Sequence, residues 1–273
     1  MIPLFLSLLL SLFTSCDSNV KENNLKETAG DKTAIIEDRS ERMKDIPDGL
    51  RKLVKAYPDF LDSADDNNLY WKDGTVMIYD DGKQKSFDEL LDNADLEDQM
   101  SQEYVKGADW ENPPPVNFEP GRIRNEEFFR KMYGNSAGEV QSTLTNVQWL
   151  PNSENTSIIF TTVNGADEQL YKVSQELDNL SNELLKYVKN NAGSFNWRVI
   201  AKTNRLSMHS FAIAVDINTQ YSNYWQWEKG LKYKNQIPME IVEVFEKHGF
   251  IWGGKWYHFD TMHFEYRPEL IVD

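Results

Sequence analysis

Ser207-Met208-His209-Ser210-Phe211-Ala212-Ile213-Ala214-Val215-Asp216 and Asp260-Thr261-Met262-His263-Phe264-Glu265 are the two stretches on which the reading of this chain turns. The chain has four histidines, and His209, His248, His258 and His263 all fall in its last quarter. Such clustering is what a metal site needs. Two imidazoles and one carboxylate fill three positions of a tetrahedral zinc shell and leave the fourth to a water. Taken singly, His209 or His263 reads as an ordinary core or surface histidine. The β-branched content of Ala212 to Ile217 predicts a strand, with His209 on the turn leading into it.

Outward from these stretches, Val147–Leu150 and Ile158–Val163 read as two strands joined by the polar turn Asn152-Ser153-Glu154-Asn155. Leu170, Val173, Leu177, Leu180, Leu184 and Val188 recur at helical spacing and predict one amphipathic helix over 168–188. A second helix is predicted from Ile237-Pro238 to Lys247, with Ile241, Val242 and Phe245 inward, His248 at its end and Gly249 stopping it. No dinucleotide fingerprint and no internal repeat is apparent. The fold class expected is α+β, a small antiparallel sheet flanked by helices, with an N-terminal accessory region.

Ile2–Phe13 is an apolar run too short to span a bilayer as a helix and of signal-peptide length. It ends at Phe13-Thr14-Ser15-Cys16, which looks like a bacterial lipobox, and Cys16 is the only cysteine, so no intrachain disulfide is possible. Residues 1–15 are therefore read as a signal peptide with lipobox, Cys16 as the lipidation site, and 16–45, polar throughout, as a flexible tether. The expected location is exported and lipid-anchored in the bacterial cell envelope. Residues 46–115 form an acidic accessory region, either a small subdomain or an extension packed on the catalytic domain. Leu50, Leu53, Val54 and Tyr57 predict a helix there. A strand over Thr75–Tyr79 followed by Asp80-Asp81-Gly82-Lys83 predicts a short hairpin, and Phe87, Leu90 and Leu91 open another helical stretch. Pro113-Pro114-Pro115 closes the region, and 116–273 is taken as the catalytic domain. The formal net charge of -15 disfavours a nucleic-acid binder, which needs a basic footprint.

The pattern Ser-x-His-x-x-x-Ala-x-x-Asp followed by Asp-x-x-His-Phe-Glu resembles the zinc D-alanyl-D-alanine carboxypeptidases of the VanY type, in the branch that includes the L-alanyl-D-glutamate endolysins. The flanking Ile251-Trp252-Gly253-Gly254-Lys255-Trp256-Tyr257-His258 looks like that branch too, and the resemblance runs from about Gly121 to Pro268. Ala212 departs from it, standing where the family usually has Gly.

The resemblance implies the zinc DD-peptidase, hedgehog-like fold, one zinc per chain held by His209, Asp216 and His263, and Asp260 as general base. Strand geometry alone points elsewhere. Residues three apart in a regular strand face opposite sides, so Glu265 rather than Asp260 shares the face of His263, and Asp260 needs a turn at Thr261-Met262 to reach it. Glu265 is otherwise read as a carboxylate behind His263 or a partner of Arg267. Arg198 resembles the family's oxyanion- or carboxylate-binding arginine, with Arg205 the competitor because it lies nearer His209. Ser207 holds the turn or touches substrate, Trp256 belongs to a substrate wall or to the core, and His258 stands behind the ligands or at the rim. Two functions are carried forward. One is a zinc peptidase, monomeric, cutting an amide in peptidoglycan stem peptides as a D-alanyl-D-alanine carboxypeptidase or an L,D/D,D-endopeptidase. The other is a non-catalytic peptidoglycan-binding lipoprotein with a structural zinc site.

Overall fold

Leu50, Leu53 and Val54, repeating every three to four residues, wind into α1 (Asp48–Ala56) and are buried along one face, with Tyr57 fully buried at its end. The structure, a computed structural model, describes residues 46–228 and 230–273. The apolar leader 1–15, Cys16 and the tether 16–45 lie outside these residues. Among the described residues no helix is long and apolar enough to cross a membrane.

After α1 come β1 (Leu61–Ala64), β2 (Asn68–Trp71) and β3 (Val76–Ile78), an antiparallel sheet in the order β1-β2-β3. The strand predicted around Val76 is present, but its hairpin runs back onto β2, with Leu69 opposite Met77, and not forward across Asp80–Lys83. The aspartates explain this. Asp80 Oδ1 accepts the Gly82 N–H at 2.7 Å and Asp81 Oδ1 that of Lys83 at 3.0 Å, local turns that lead the chain away from the sheet. A capping box at Ser86 then starts α2 (Phe87–Asn93), and a second at Asp95 starts α3 (Leu96–Met100).

Asn125 caps α4 (Glu126–Tyr133), which buries Phe128, Phe129, Met132 and Tyr133. A short α5 (Ala137–Gln141) leads to the hairpin of β4 (Leu144–Trp149) and β5 (Thr156–Thr161), paired from Leu144 opposite Thr161 to Trp149 opposite Thr156. α6 (Ala166–Leu177) packs Leu170, Val173 and Leu177 inward. The single helix predicted over 168–188 is broken there and resumes only as α7 (Asn182–Leu185). The side chain of Asp178 accepts the backbone N–H groups of Asn152 at 2.6 Å and Ser153 at 3.0 Å, tying the helix end to the hairpin turn. Ser181 then turns extended, at φ -62 and ψ 152.

The last sheet positions the site. β6 (Ala214–Asp216) and β7 (Phe250–Trp252) flank β8 (His263–Tyr266), all antiparallel in the order β6-β8-β7, with α8 (Met239–Lys247) packed against them. All four residues of β8 are buried. Period-two alternation sends Phe264 into the α8 interface, stacked on Phe245 with ring centroids 3.8 Å apart, and turns His263 and Glu265 to the opposite side. Because Phe245 is fully buried, Phe245→Ala should lower unfolding free energy by about 3–5 kcal/mol. Urea denaturation checks this, and a loss under about 1 kcal/mol would mean the α8–β8 contact does not hold the sheet.

Candidate active site

Cross-strand pairing makes the first contact of the site. Asp216, last in β6, is the register partner of His263, first in β8, and its Oδ1 lies 2.9 Å from His263 Nδ1. His209 comes from a 3-10 turn over Met208–Phe211, N-capped by the Ser207 hydroxyl and closed by Ala212 at φ 54 and ψ 35. Glycine adopts that left-handed conformation freely, and alanine does not. Alanine there carries about 1–2 kcal/mol of strain. The turn brings His209 Nε2 to 3.2 Å from His263 Nδ1 and 3.3 Å from Asp216 Oδ2. His209, Asp216 and His263 each offer a ligand atom within 4.8 Å of the others.

The far side of each ring fixes its tautomer. His209 Nδ1 faces the Ser194 carbonyl oxygen at 2.6 Å, and a carbonyl only accepts, so this nitrogen carries the hydrogen. His263 Nε2 faces Glu265 Oε1 at 2.9 Å and carries its hydrogen for the same reason. In the neutral rings, His209 Nε2 and His263 Nδ1 therefore turn lone pairs toward each other and toward the Asp216 carboxylate. Three acceptors at these distances repel unless a proton or a metal cation sits among them. Burial lowers the His263 ring, but Asp216 and Glu265 outweigh it and raise it to about 10, so the site attracts positive charge. A tetrahedral zinc with bonds of about 2.0–2.1 Å has edges of about 3.3 Å, close to the 3.2 Å between the two ring nitrogens, with one Asp216 oxygen 2.9 Å from His263 Nδ1 and the other 3.3 Å from His209 Nε2. The donor set fits zinc, and the outer hydrogen bonds are those that orient metal-binding imidazoles.

Positive charge at the two rings acts on both carboxylates. Burial alone would raise the Glu265 carboxyl, but its hydrogen bond to His263 and the charges of His263, Arg267 and Arg124 hold it down to about 2. Burial acts the same way on Asp216, and His209 and His263 outweigh it, keeping that group well below the usual carboxylate range. The site is built to draw positive charge to the ring nitrogens.

Asp260 is brought round by a turn. The His263 N–H donates to the Asp260 carbonyl at 3.2 Å across Thr261–Met262, the bend that a regular strand would lack. Gly253 makes room: a Cβ there would lie 2.6 Å from the Asp260 carbonyl oxygen, while the Gly253 carbonyl accepts the Asp260 N–H at 3.0 Å. Asp260 Oδ1 is buried with no hydrogen-bond partner among the described residues. Burial pushes its carboxyl up to about 6, against the lowering influence of His263.

One pocket is lined by His209, Asp216, Asp260, His263 and Glu265 together. Of the other residues expected from sequence, Arg198, Ser207 and Trp256 lie on its wall, the Trp256 Nε1–H donating to the Pro120 carbonyl at 2.7 Å. Arg205 is not on the wall; its guanidinium sits 3.1 Å from Asp92. His258 also stands off, bonded to Glu119 and packed on Trp225 instead of the candidate ligands.

Five wall residues were missed: Arg122, Arg124, Ile200, Met208 and Tyr224. No periodic signal marked the two arginines, because the chain turns there, the Arg122 N–H donating to the Glu119 carbonyl at 2.9 Å. Arg122 lies over the Trp256 ring at 5.4 Å, and buried Arg124 donates to the Leu206 carbonyl at 2.7 Å.

Residues 201–266 match the family model described as D-alanyl-D-alanine carboxypeptidase. The match marks this stretch as peptidase-like and contains His209, Asp216, Asp260, His263 and Glu265, while Arg198, Arg122 and Arg124 lie before it. A search of curated proteins and one of solved structures gave no match. The donor set should bind about one zinc per chain, by the three-ligand rule for catalytic sites. Elemental analysis after dialysis checks this, and His209→Ala should lose the metal; undiminished zinc in that variant would remove His209 from the site.

Proposed function

We propose that this chain is a zinc-dependent peptidase that hydrolyses an amide bond in peptidoglycan stem peptides. The observation that carries the reading is the unpartnered, buried Asp260 oxygen beside three converging metal donors in one pocket. A structural zinc site closes with four protein ligands. Three donors and a spare carboxylate on a pocket wall suit catalysis better.

His209, His263 and Asp216 are the residues that would hold the metal. Zinc bound there supplies Lewis-acid polarisation of the scissile carbonyl and acidifies a water. Asp260 takes a proton from the attacking water as its oxygen bonds to the carbonyl carbon. It returns the proton to the leaving nitrogen as the C–N bond breaks, so water is consumed and a carboxylate and an amine are released. Glu265 is committed to His263 and Arg267, which supports Asp260 rather than Glu265 as the base.

Arg198, whose guanidinium makes no hydrogen bond or ion pair among the described residues, is assigned to the substrate carbonyl or a substrate carboxylate. Arg122 and Arg124 join it on the wall. Three guanidiniums around one pocket in a chain of net charge -15 favour a carboxylate-bearing peptide. The bond cut is the terminal D-alanine linkage or an internal L,D or D,D linkage. Lipidation at Cys16 would hold the enzyme in the envelope, with 16–45 as its reach toward the wall.

Digestion of purified peptidoglycan with mass spectrometry of the fragments should show a zinc-dependent loss of D-alanine or a split stem peptide; unchanged wall material would sink the proposal. Asp260→Asn should lower turnover by roughly two to four powers of ten with zinc retained. Glu265→Gln should cost about tenfold through a loosened His263. A zinc-replete, inactive Glu265→Gln beside an active Asp260→Asn would reverse the two roles.

A further inference from the structure

The hydrogen bond behind His263 does not stop at Glu265. Glu265 Oε2 lies 3.3 Å from Arg267 Nη1, and Arg267 Nε donates to Glu269 Oε1 at 2.6 Å. Glu269 Oε2 accepts the hydroxyl of Tyr57 at 2.6 Å, and Gln99 Nε2 approaches Glu269 Oε1 at 3.4 Å. Tyr57 and Gln99 belong to the accessory region, at the end of α1 and in α3. Every group in this line is withdrawn from water: Tyr57, Arg267 and Glu269 are 0% exposed, Gln99 1% and Glu265 2%. Arg267 is the hub. Its Nη1 also donates to the Gly121 carbonyl at 2.6 Å, next to the wall residue Arg122, and its guanidinium lies 4.8 Å over the Phe129 ring.

We propose that the accessory region is part of the metal site's support, with Tyr57 and Glu269 acting as positioning residues that hold the His263 ring through Arg267 and Glu265. This rests on the zinc reading given above. Ring orientation is the property at stake. Glu265 is 2% exposed and its second oxygen faces Arg267, so Arg267, held in turn by Glu269, restrains it. Without the Tyr57 hydroxyl, Glu269 loses a donor to one oxygen and can rotate. The slack passes along charged links to the hydrogen bond that sets the His263 tautomer, and outer partners of that kind are worth about 10–100-fold in metal affinity.

A matched control is built into the fold. Tyr104, also from the accessory region, donates to buried Glu246 at 2.6 Å, the same chemistry on a branch that runs to Lys255 and not to a candidate ligand. Zinc dissociation constants of the full chain, by competition with a chromophoric chelator, and visible spectra of the cobalt(II) form should be measured for Glu269→Gln, Tyr57→Phe and Tyr104→Phe. Zinc should bind about tenfold more weakly in Glu269→Gln, several-fold more weakly in Tyr57→Phe, and within about twofold of the parent in Tyr104→Phe. The cobalt spectrum should shift in the first two alone. Should Glu269→Gln not fold, Tyr57→Phe against Tyr104→Phe decides. Equal affinity in all variants, or equal weakening in both tyrosine variants, would overturn the positioning role and leave the zinc reading standing. A parent chain that takes up no zinc is a different result, which removes the zinc reading and this proposal with it.

Discussion

The register pair of Asp216 and His263 at the mouth of the β6–β8 ladder is the constraint from which the site follows. A ladder pair cannot slip by one residue without turning every side chain of β8 to the other face, which would send Phe264 to the pocket and His263 into the α8 interface. The stacked Phe245–Phe264 contact resists that slip from one face. His263 and Glu265 use the other. Once these two strands are fixed, the capped turn at Ser207–Ala212 need only deliver one more imidazole, and the bend at Thr261–Met262 one more carboxylate.

Charge is concentrated where water is scarce. Glu265, Arg267 and Glu269 are almost wholly buried, and breaking one member of such a set leaves an uncompensated charge at a cost of about 3–5 kcal/mol. A well-packed apolar replacement would be no less stable, so the network is better understood through what it orients. It ties the C-terminal segment after β8 to α1 and α3. Arg267, bonded to the Gly121 carbonyl, also anchors the turn that carries Arg122 and leads to Arg124.

Local pattern made much of this legible. The β4–β5 hairpin, α1 and α8 follow from spacing because each depends on residues close in sequence, while the three donors were named from the motif pair, whose two halves meet only through the β6–β8 pairing. Where the reading failed, a distant partner had decided the outcome. Asp178 ends α6 because two N–H groups of the β4–β5 turn bond to it, and helical periodicity carries no trace of that. β3 pairs backward because Asp80 and Asp81 satisfy their own turn. Arg205 was the competitor to Arg198 on proximity along the chain, whereas Arg122 and Arg124 reach the pocket from more than eighty residues before His209. The Ser194 carbonyl that orients His209 had no sequence signal at all, since every residue has a carbonyl.

The central claim is that the lone pairs of His209 Nε2 and His263 Nδ1 converge with Asp216 to hold one metal ion. Anomalous diffraction at the zinc absorption edge tests it most directly. The account predicts a single peak about 2.0–2.2 Å from His209 Nε2, His263 Nδ1 and an Asp216 oxygen. Absence of density there, or a zinc bound through His209 Nδ1 or His263 Nε2, would contradict it.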